Sequence, residues 1–143
     1  MPHSRVLDLG GGPGRYSLWL AERGHRVSLA DLSPELLDIA RGQVAASSAA
    51  NRITEIVAAD ARDLSRWPDA SFDVVLAFGP FYHLTALADR ETAAAELARV
   101  LAPGGQAVIA LMPRFAFLRR VLANPLEQHL LGQPDFVARV LDE

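Results

Sequence analysis

Four glycines follow one acidic residue near the start of the chain: Asp8 precedes Gly10, Gly11, Gly12 and Gly14. Glycine has no Cβ, so the chain can turn sharply there and a ligand can contact the backbone. If a helix begins after this loop, its free N–H groups face a negatively charged group of that ligand. The segment predicts a loop that binds a nucleotide-like molecule.

Carboxylates follow the next two apolar runs. Asp31 comes 17 residues after Gly14, and Asp60 ends a later run. A carboxylate at the position of Asp31 can accept hydrogen bonds from both hydroxyls of a ribose and would repel a 2′-phosphate, which disfavours NADP. Structural alternatives stay open: Asp31 also suits the turn that opens a helix at Ser33 and Pro34, and Asp60 suits a simple turn.

The composition excludes several kinds of chemistry. The 143-residue chain has no cysteine and no lysine, so it has no thiolate nucleophile, cysteine zinc site, P-loop or Schiff base. Its four histidines lack metal-ligand spacing, and we expect no bound metal. With a net charge of −3 and no basic stripe, we expect neither a nucleic acid nor a membrane as partner. No targeting segment or membrane span is recognisable, which favours a cytoplasmic location.

Apolar runs that predict strands alternate with amphipathic segments that predict helices. Strands are expected at residues 5–9, 26–30, 53–59, 72–78 and 106–111. Helices are expected after Gly14, after a Ser33 cap, at 89–101, and in pieces over 114–143 separated by Pro125 and Pro134. In the first of these helices we expect Trp19 to belong to the core. This alternation predicts an α/β fold with a parallel sheet. Ligands of such sheets bind beyond the carboxyl ends of the strands, where the glycines and both carboxylates fall.

We interpret residues 1–143 as a single domain, with a core at 1–111 and a helical tail at 112–143. The glycine loop resembles that of the class I S-adenosylmethionine-dependent methyltransferases, whose spacing acid-x-Gly-x-Gly-x-Gly is filled by Asp8, Gly10, Gly12 and Gly14. The dinucleotide pattern G-x-G-x-x-G/A fits poorly, because its last position would be Arg15 or Ser17. Residues 69–75 and 101–105 resemble the family's start of strand four and its Leu-x-Pro-Gly-Gly turn. The resemblance spans residues 5–111.

The resemblance implies a Rossmann-like, doubly wound sheet of about five parallel strands in the order 3-2-1-4-5, with helices on both faces. It implies S-adenosylmethionine as cofactor: the loop wraps its methionine end, Asp8 helps to hold the amino group, Asp31 binds the ribose and Asp60 lies near the adenine amino group. The cofactor-binding residues that we predict are Asp8, Gly10, Gly11, Gly12, Gly14, Asp31, Leu32, Asp60, Ala61, Phe78 and Gly79.

The segment after strand four, Gly-Pro-x-Tyr-His-Leu, resembles a variant found in small-molecule methyltransferases of this class. Histidine titrates near neutral pH, so His83 suits a general base for a methyl acceptor. Tyr82 lines the pocket or faces the sulfonium through its ring. We predict these two as catalytic residues. The alternatives are that His83 packs against or caps the next helix, and that Tyr82 belongs to the core.

The chain departs from the family in two places. It lacks a helical segment before the first strand and a β-hairpin after the fifth, so it resembles a family member truncated at both ends. The function implied is methyl transfer to a small-molecule acceptor. Two alternatives stay open: an NAD-dependent oxidoreductase, and a truncated module that binds S-adenosylmethionine without catalysis.

Overall fold

The computed structural model describes residues 3–113, 115–133 and 135–136. Its chain divides into two compact units, Met1–Ala110 and Leu111–Glu143. The first unit contains β1 (Arg5–Leu9), α1 (Arg15–Glu22), β2 (Arg26–Asp31), α2 (Pro34–Ala45), β3 (Ile53–Ala58), β4 (Phe72–Ala77), α3 (Leu87–Val100) and β5 (Leu101–Ile109). Short 3₁₀ turns span Ala50–Arg52 and Pro80–Tyr82.

The five strands form one sheet in the order β3-β2-β1-β4-β5, and each neighbouring pair is parallel. The predicted strand order is therefore confirmed. The central strands are apolar on both faces, as burial between two helical layers requires. Leu7 of β1 and Val75 of β4 pack with Leu97 of α3 on one face. On the opposite face Val6 packs with Ala21 of α1.

Strand β5 differs from its predicted form. It begins at Leu101, so helix α3 ends one residue earlier than expected, and it includes the Pro-Gly-Gly segment that was predicted as a separating turn. Phe72 pairs with Leu101 and Val74 with Gln106, which leaves a bulge of extra residues in β5. Gly104, at φ +77°, gives the bulge its left-handed turn.

Trp19 was predicted as helix core, and this prediction is wrong. Its side chain is about half exposed, and the Arg23 guanidinium lies 3.9 Å from the centre of its ring. The core side of α1 is instead formed by the small residues Ser17 and Ala21, which let the helix lie close to the sheet.

The second unit contains α4 (Ala116–Ala123) and a 3₁₀ helix at Gln128–Gly132, so Pro125 does separate two helical pieces. Val121 and Phe136 form its buried centre. Within 111–113, 115–133 and 135–136 there is no strand. Arg114, Pro134 and residues 137–143, which belong to the predicted helical tail, lie outside the described residues. No helix in the described part of the chain is long and apolar enough to cross a membrane.

Candidate cofactor-binding site

The glycine loop turns directly at the carboxyl end of β1. The backbone N–H groups of Gly10 and Gly11 both donate to the carbonyl of Ala30, at 2.8 and 3.1 Å, which fastens the loop to β2. Gly10 has φ +71°, and a Cβ there would lie 2.7 Å from Cδ of Pro80. A side chain is therefore excluded twice, by backbone conformation and by the loop that follows β4.

Asp8 lies beneath this loop and is 1% exposed. One of its oxygens accepts a 2.6 Å hydrogen bond from the Ser17 hydroxyl. A Cβ on Gly11 would come within 2.8 Å of the Asp8 carboxylate, so the loop rests on it. Burial raises the pKa of Asp8, while hydrogen bonds from Ser17 act in the opposite direction. Asp8 supports the loop from below and does not line the cavity described next.

Asp31 joins the glycine loop to helix α2. Its Oδ2 accepts from the N–H of Gly12 at 2.8 Å and its Oδ1 from the N–H of Ser33 at 2.9 Å. Ser33 in turn caps α2 by accepting from the N–H of Leu36. Each carboxylate oxygen keeps one acceptor position. The contacts expected if Asp31 serves the turn that opens helix α2 are therefore present. The carboxylate can still accept hydrogen bonds from two ligand hydroxyls.

Asp60 stands at the end of β3 and is held by Arg62. Its Oδ1 accepts from the backbone N–H of Arg62 at 2.9 Å and its Oδ2 accepts from Nη2 at 2.6 Å. The Nε–H of Arg62 is shared between Oδ1 at 3.0 Å and Oδ2 at 3.2 Å. The Arg62 hydrogen bonds and charge lower the pKa of Asp60. Between them Ala61 is buried in the main core and anchors this turn.

These elements enclose a cavity of about 390 Å³ at the carboxyl edge of the sheet. Among the described residues that line it, none is an arginine, and two are acids, Asp31 and Asp60. The lining consists of Leu9, Gly10, Gly12, Asp31, Leu32, Ser33, Leu36, Ala59, Asp60, Ala61, Gly79, Pro80, Tyr82, His83 and Leu84. Because Arg62 balances the charge of Asp60, a preference of the cavity for a cation over an anion rests on Asp31.

The segment after β4 forms the other wall. Phe81 is buried in the core, whereas Tyr82 and His83 are exposed, with ring centres 4.6 Å apart. Arg90 of α3 donates to the carbonyls of Leu84 and Thr85, at 2.8 and 2.6 Å. Helix α3 thus fixes the path of this segment beside the cavity.

Most of the predicted site residues come together around this cavity. The lining includes Gly10, Gly12, Asp31, Leu32, Asp60, Ala61, Gly79, Tyr82 and His83. Asp8, Gly11, Gly14 and Phe78 are outside it: the first two form the base of the loop, Gly14 packs against Leu29, and Phe78 stacks edge-to-face on Tyr16. The group of three or more metal-ligating side chains that a metal site needs does not occur in the part of the chain that the structure describes.

Six lining residues were not predicted from the sequence: Leu9, Ser33, Leu36, Ala59, Pro80 and Leu84. Each lies within a few residues of a predicted one. The place of Ser33 and Leu36 in the lining was predictable from their position, because the first turn of a helix that follows a ligand-binding strand end faces the same cavity. Their sequence pattern indicated only a helix cap and an apolar stripe.

A parallel sheet of order 3-2-1-4-5, a glycine loop after β1 and acids at the ends of β2 and β3 are the features of a Rossmann-like fold, to which the class I S-adenosylmethionine-dependent methyltransferases belong. The family model described as "Methyltransferase domain" matches residues 7–109. The chain therefore belongs to the methyltransferase domain family.

Individual relatives agree with this assignment. The chain is 44% identical over 112 residues to a demethylmenaquinone methyltransferase of Thermus thermophilus, covering 76% of this chain and 47% of that protein. It is 36% identical over 110 residues to a tRNA 5-carboxymethoxyuridine methyltransferase of Escherichia coli, covering 76% of this chain and 39% of the relative. The chain thus spans half or less of the length of these relatives.

A solved structure shows the same fold at useful identity. It is a TehB-like S-adenosylmethionine-dependent methyltransferase from Corynebacterium glutamicum, 31% identical with a TM-score of 0.62, and the match covers 76% of this chain and 55% of that one.

Proposed function

We propose that the cavity binds S-adenosylmethionine and that the protein transfers its methyl group to a small-molecule acceptor. The observation that carries the proposal is the charge of the lining: two carboxylates and no arginine among the described lining residues. S-adenosylmethionine carries a sulfonium and an ammonium, which such a lining attracts. NAD carries a diphosphate, which needs free backbone N–H groups or cationic side chains. The N–H groups of Gly10 and Gly11 donate to the carbonyl of Ala30, and that of Gly12 donates to Asp31.

The order of groups along the sheet edge also fits this cofactor. Strands β1, β2 and β3 lie side by side, so the glycine loop, Asp31 and Asp60 follow one another at about 4.8 Å per strand. The cofactor is built in the same order, with an amino-acid chain, a ribose and a purine base. The loop would hold the amino-acid end, Asp31 the ribose hydroxyls and Asp60 the base, while Leu32 and Ala61 supply apolar contact.

When bound, the cofactor supplies a methyl group on a positively charged sulfur, which leaves as a neutral thioether. The protein's part is to orient the acceptor, exclude water and remove a proton where the acceptor has one. Tyr82 and His83 line the same cavity and follow Pro80, where the loop after β4 touches Gly10 of the glycine loop. We assign acceptor orientation to Tyr82 and proton removal to a ring nitrogen of His83, whose exposure leaves it accessible.

A small molecule is a better candidate for the methyl acceptor than an RNA is, although one relative is named as a tRNA methyltransferase. The net charge is −3, and Arg62 and Arg90, which lie near the cavity, are both engaged within the protein. An RNA backbone needs free cations to neutralise its phosphates. A cytoplasmic location stays part of the proposal and rests on the sequence.

Calorimetry separates the proposal from its alternatives. We expect S-adenosylhomocysteine to bind and NAD to give no heat of binding at the same concentration. Binding of NAD alone would refute the proposal. A methyl-transfer assay with His83→Ala, in which cofactor affinity is measured separately, tests the catalytic part. Unchanged turnover would remove His83 from the mechanism, and cofactor binding without turnover on any acceptor would favour the non-catalytic module.

A further inference from the structure

Arg62 is partly exposed, and its guanidinium contacts two carboxylates at once. Its guanidinium forms a two-pronged ion pair with Asp60 in the cavity wall and reaches Asp89 at 3.3 Å in the first turn of α3. The pair is local in sequence, because the N–H of Arg62 closes a turn onto Oδ1 of Asp60. Ala61, between them, is buried and anchors the turn.

This geometry uses nearly all of the acceptor capacity of Asp60. Two carboxylate oxygens offer about four acceptor positions. Oδ1 accepts from the backbone N–H of Arg62, Oδ2 accepts from Nη2, and the Nε–H of Arg62 is shared between Oδ1 at 3.0 Å and Oδ2 at 3.2 Å. Three N–H groups therefore leave room for about one further donor, at Oδ2, where the shared bond is the longer of its two branches, and Asp60 lines the cavity. A ligand group that meets this oxygen must therefore be a hydrogen-bond donor, and only one donor fits.

We propose that Arg62 is a positioning residue that orients Asp60 to select a purine with a 6-amino group over one with a 6-oxo group. This inference rests on the proposed function, in which Asp60 meets the cofactor base. A 6-amino group donates to the remaining acceptor position. A 6-oxo group would set a carbonyl oxygen against a carboxylate oxygen that Arg62 prevents from turning away.

The test compares binding of S-adenosylhomocysteine and S-inosylhomocysteine, which differ at this purine position. We expect the protein to prefer the adenosyl compound about tenfold or more, as one charge-assisted hydrogen bond would give. In Arg62→Ala the preference should fall to less than about threefold, because the freed carboxylate can rotate into solvent. Arg62→Lys keeps the charge but loses the fork and should also lose most of the preference.

Asp89→Asn is the matched control, because it removes the other ion pair of Arg62 and leaves the fork on Asp60. Its preference should equal that of the unaltered protein. The preference should also be constant between about pH 6 and 9, since Asp60 stays ionised with or without Arg62. Thermal unfolding of each variant verifies folding.

The outcomes separate this inference from the proposed function. If S-adenosylhomocysteine binds but Arg62→Ala keeps the full preference, Arg62 has no role in base selection and the inference is refuted alone. If neither thioether binds the unaltered protein, both the proposed function and the inference are refuted. Loss of preference in Asp89→Asn equal to that in Arg62→Ala would assign the effect to the loop as a whole and would also overturn the inference.

Discussion

At the scale of single residues, each acid of the site has a structural partner as well as its proposed ligand. Asp31 accepts from two backbone N–H groups, Asp60 from Arg62, and Asp8 from Ser17. These donors hold the carboxylates in fixed directions before any ligand binds. The conformational-entropy cost of ligand binding is therefore lower. Substitutions should therefore affect stability and affinity together, in proportions that differ between the three acids.

Asp31→Asn should weaken both properties. The amide nitrogen cannot accept, so either Gly12 or Ser33 loses the partner of its N–H, at a cost of about 1–3 kcal/mol in the free energy of unfolding. Affinity for S-adenosylhomocysteine should fall about tenfold or more. Asp38→Asn, on the exposed side of α2 and paired only with Arg41 there, should change either quantity little. Urea unfolding and calorimetry measure the two effects, and unchanged affinity in Asp31→Asn would contradict the ribose role.

Ser17→Ala should make stability more dependent on pH. The pKa of Asp8 is raised by burial and by the nearby charge of Asp31, and lowered by Ser17. A raised carboxyl pKa means that the fold favours the protonated form, so this group reduces stability as pH rises above the ordinary value of 3.8. Losing the Ser17 hydroxyl raises the pKa further.

The variant should therefore lose about 1–3 kcal/mol of unfolding free energy at pH 7 and less at pH 4, because a raised pKa leaves a larger share of Asp8 protonated at the lower pH. Urea titrations at both pH values measure this difference. Ser71→Ala, whose hydroxyl donates to the carbonyl of Pro68 and not to a carboxylate, is the control and should show no such contrast. An equal loss at both pH values would mean that Ser17 contributes through packing rather than through the charge of Asp8.

At the scale of elements, the sequence predicts the order of strands and helices well because each signal is local. Apolar runs, a Ser-Pro helix start and glycines at strand ends all act within a few residues. The form of β5 was not predictable in this way, since its bulge depends on pairing with β4. The burial of Asp8 and the fork of Arg62 also depend on tertiary contacts. The sequence thus predicted which strand ends carry the acids, but not which partners hold them.

Two glycine substitutions test this distinction between local and tertiary control. Gly42 lies in the exposed middle of α2, and a Cβ there would meet nothing within 4 Å. Gly42→Ala should therefore stabilise the protein by about 0.5–1 kcal/mol through helix propensity.

A Cβ on Gly105 would lie 2.9 Å from the carbonyl oxygen of Ala102 and 3.0 Å from that of Asp73. Gly105→Ala should cost about 1–3 kcal/mol. Urea midpoints measure both, and a neutral Gly105→Ala would show that the bulge can relax.

At the scale of the whole molecule, every described residue that lines the cavity belongs to the unit Met1–Ala110. The family model matches residues 7–109, within this unit, and the chain spans half or less of the length of the two relatives. The residues that line the proposed cofactor site therefore lie within one compact unit. The proposed acceptor-binding residues, Tyr82 and His83, lie on one wall of the same cavity.

Thermal unfolding of the intact chain, with and without ligand, measures binding to this cavity. A ligand that binds only the folded protein stabilises it by about 2.7 kcal/mol at one hundred times its dissociation constant. We expect S-adenosylhomocysteine to raise the unfolding temperature in a concentration-dependent way. NAD at equal concentration should leave it unchanged, because the lining has two acids and, in the described residues, no arginine to meet a diphosphate. An equal rise with NAD would mean that the cavity does not select by charge, and the argument from Asp31 and Asp60 to a cationic cofactor would fail.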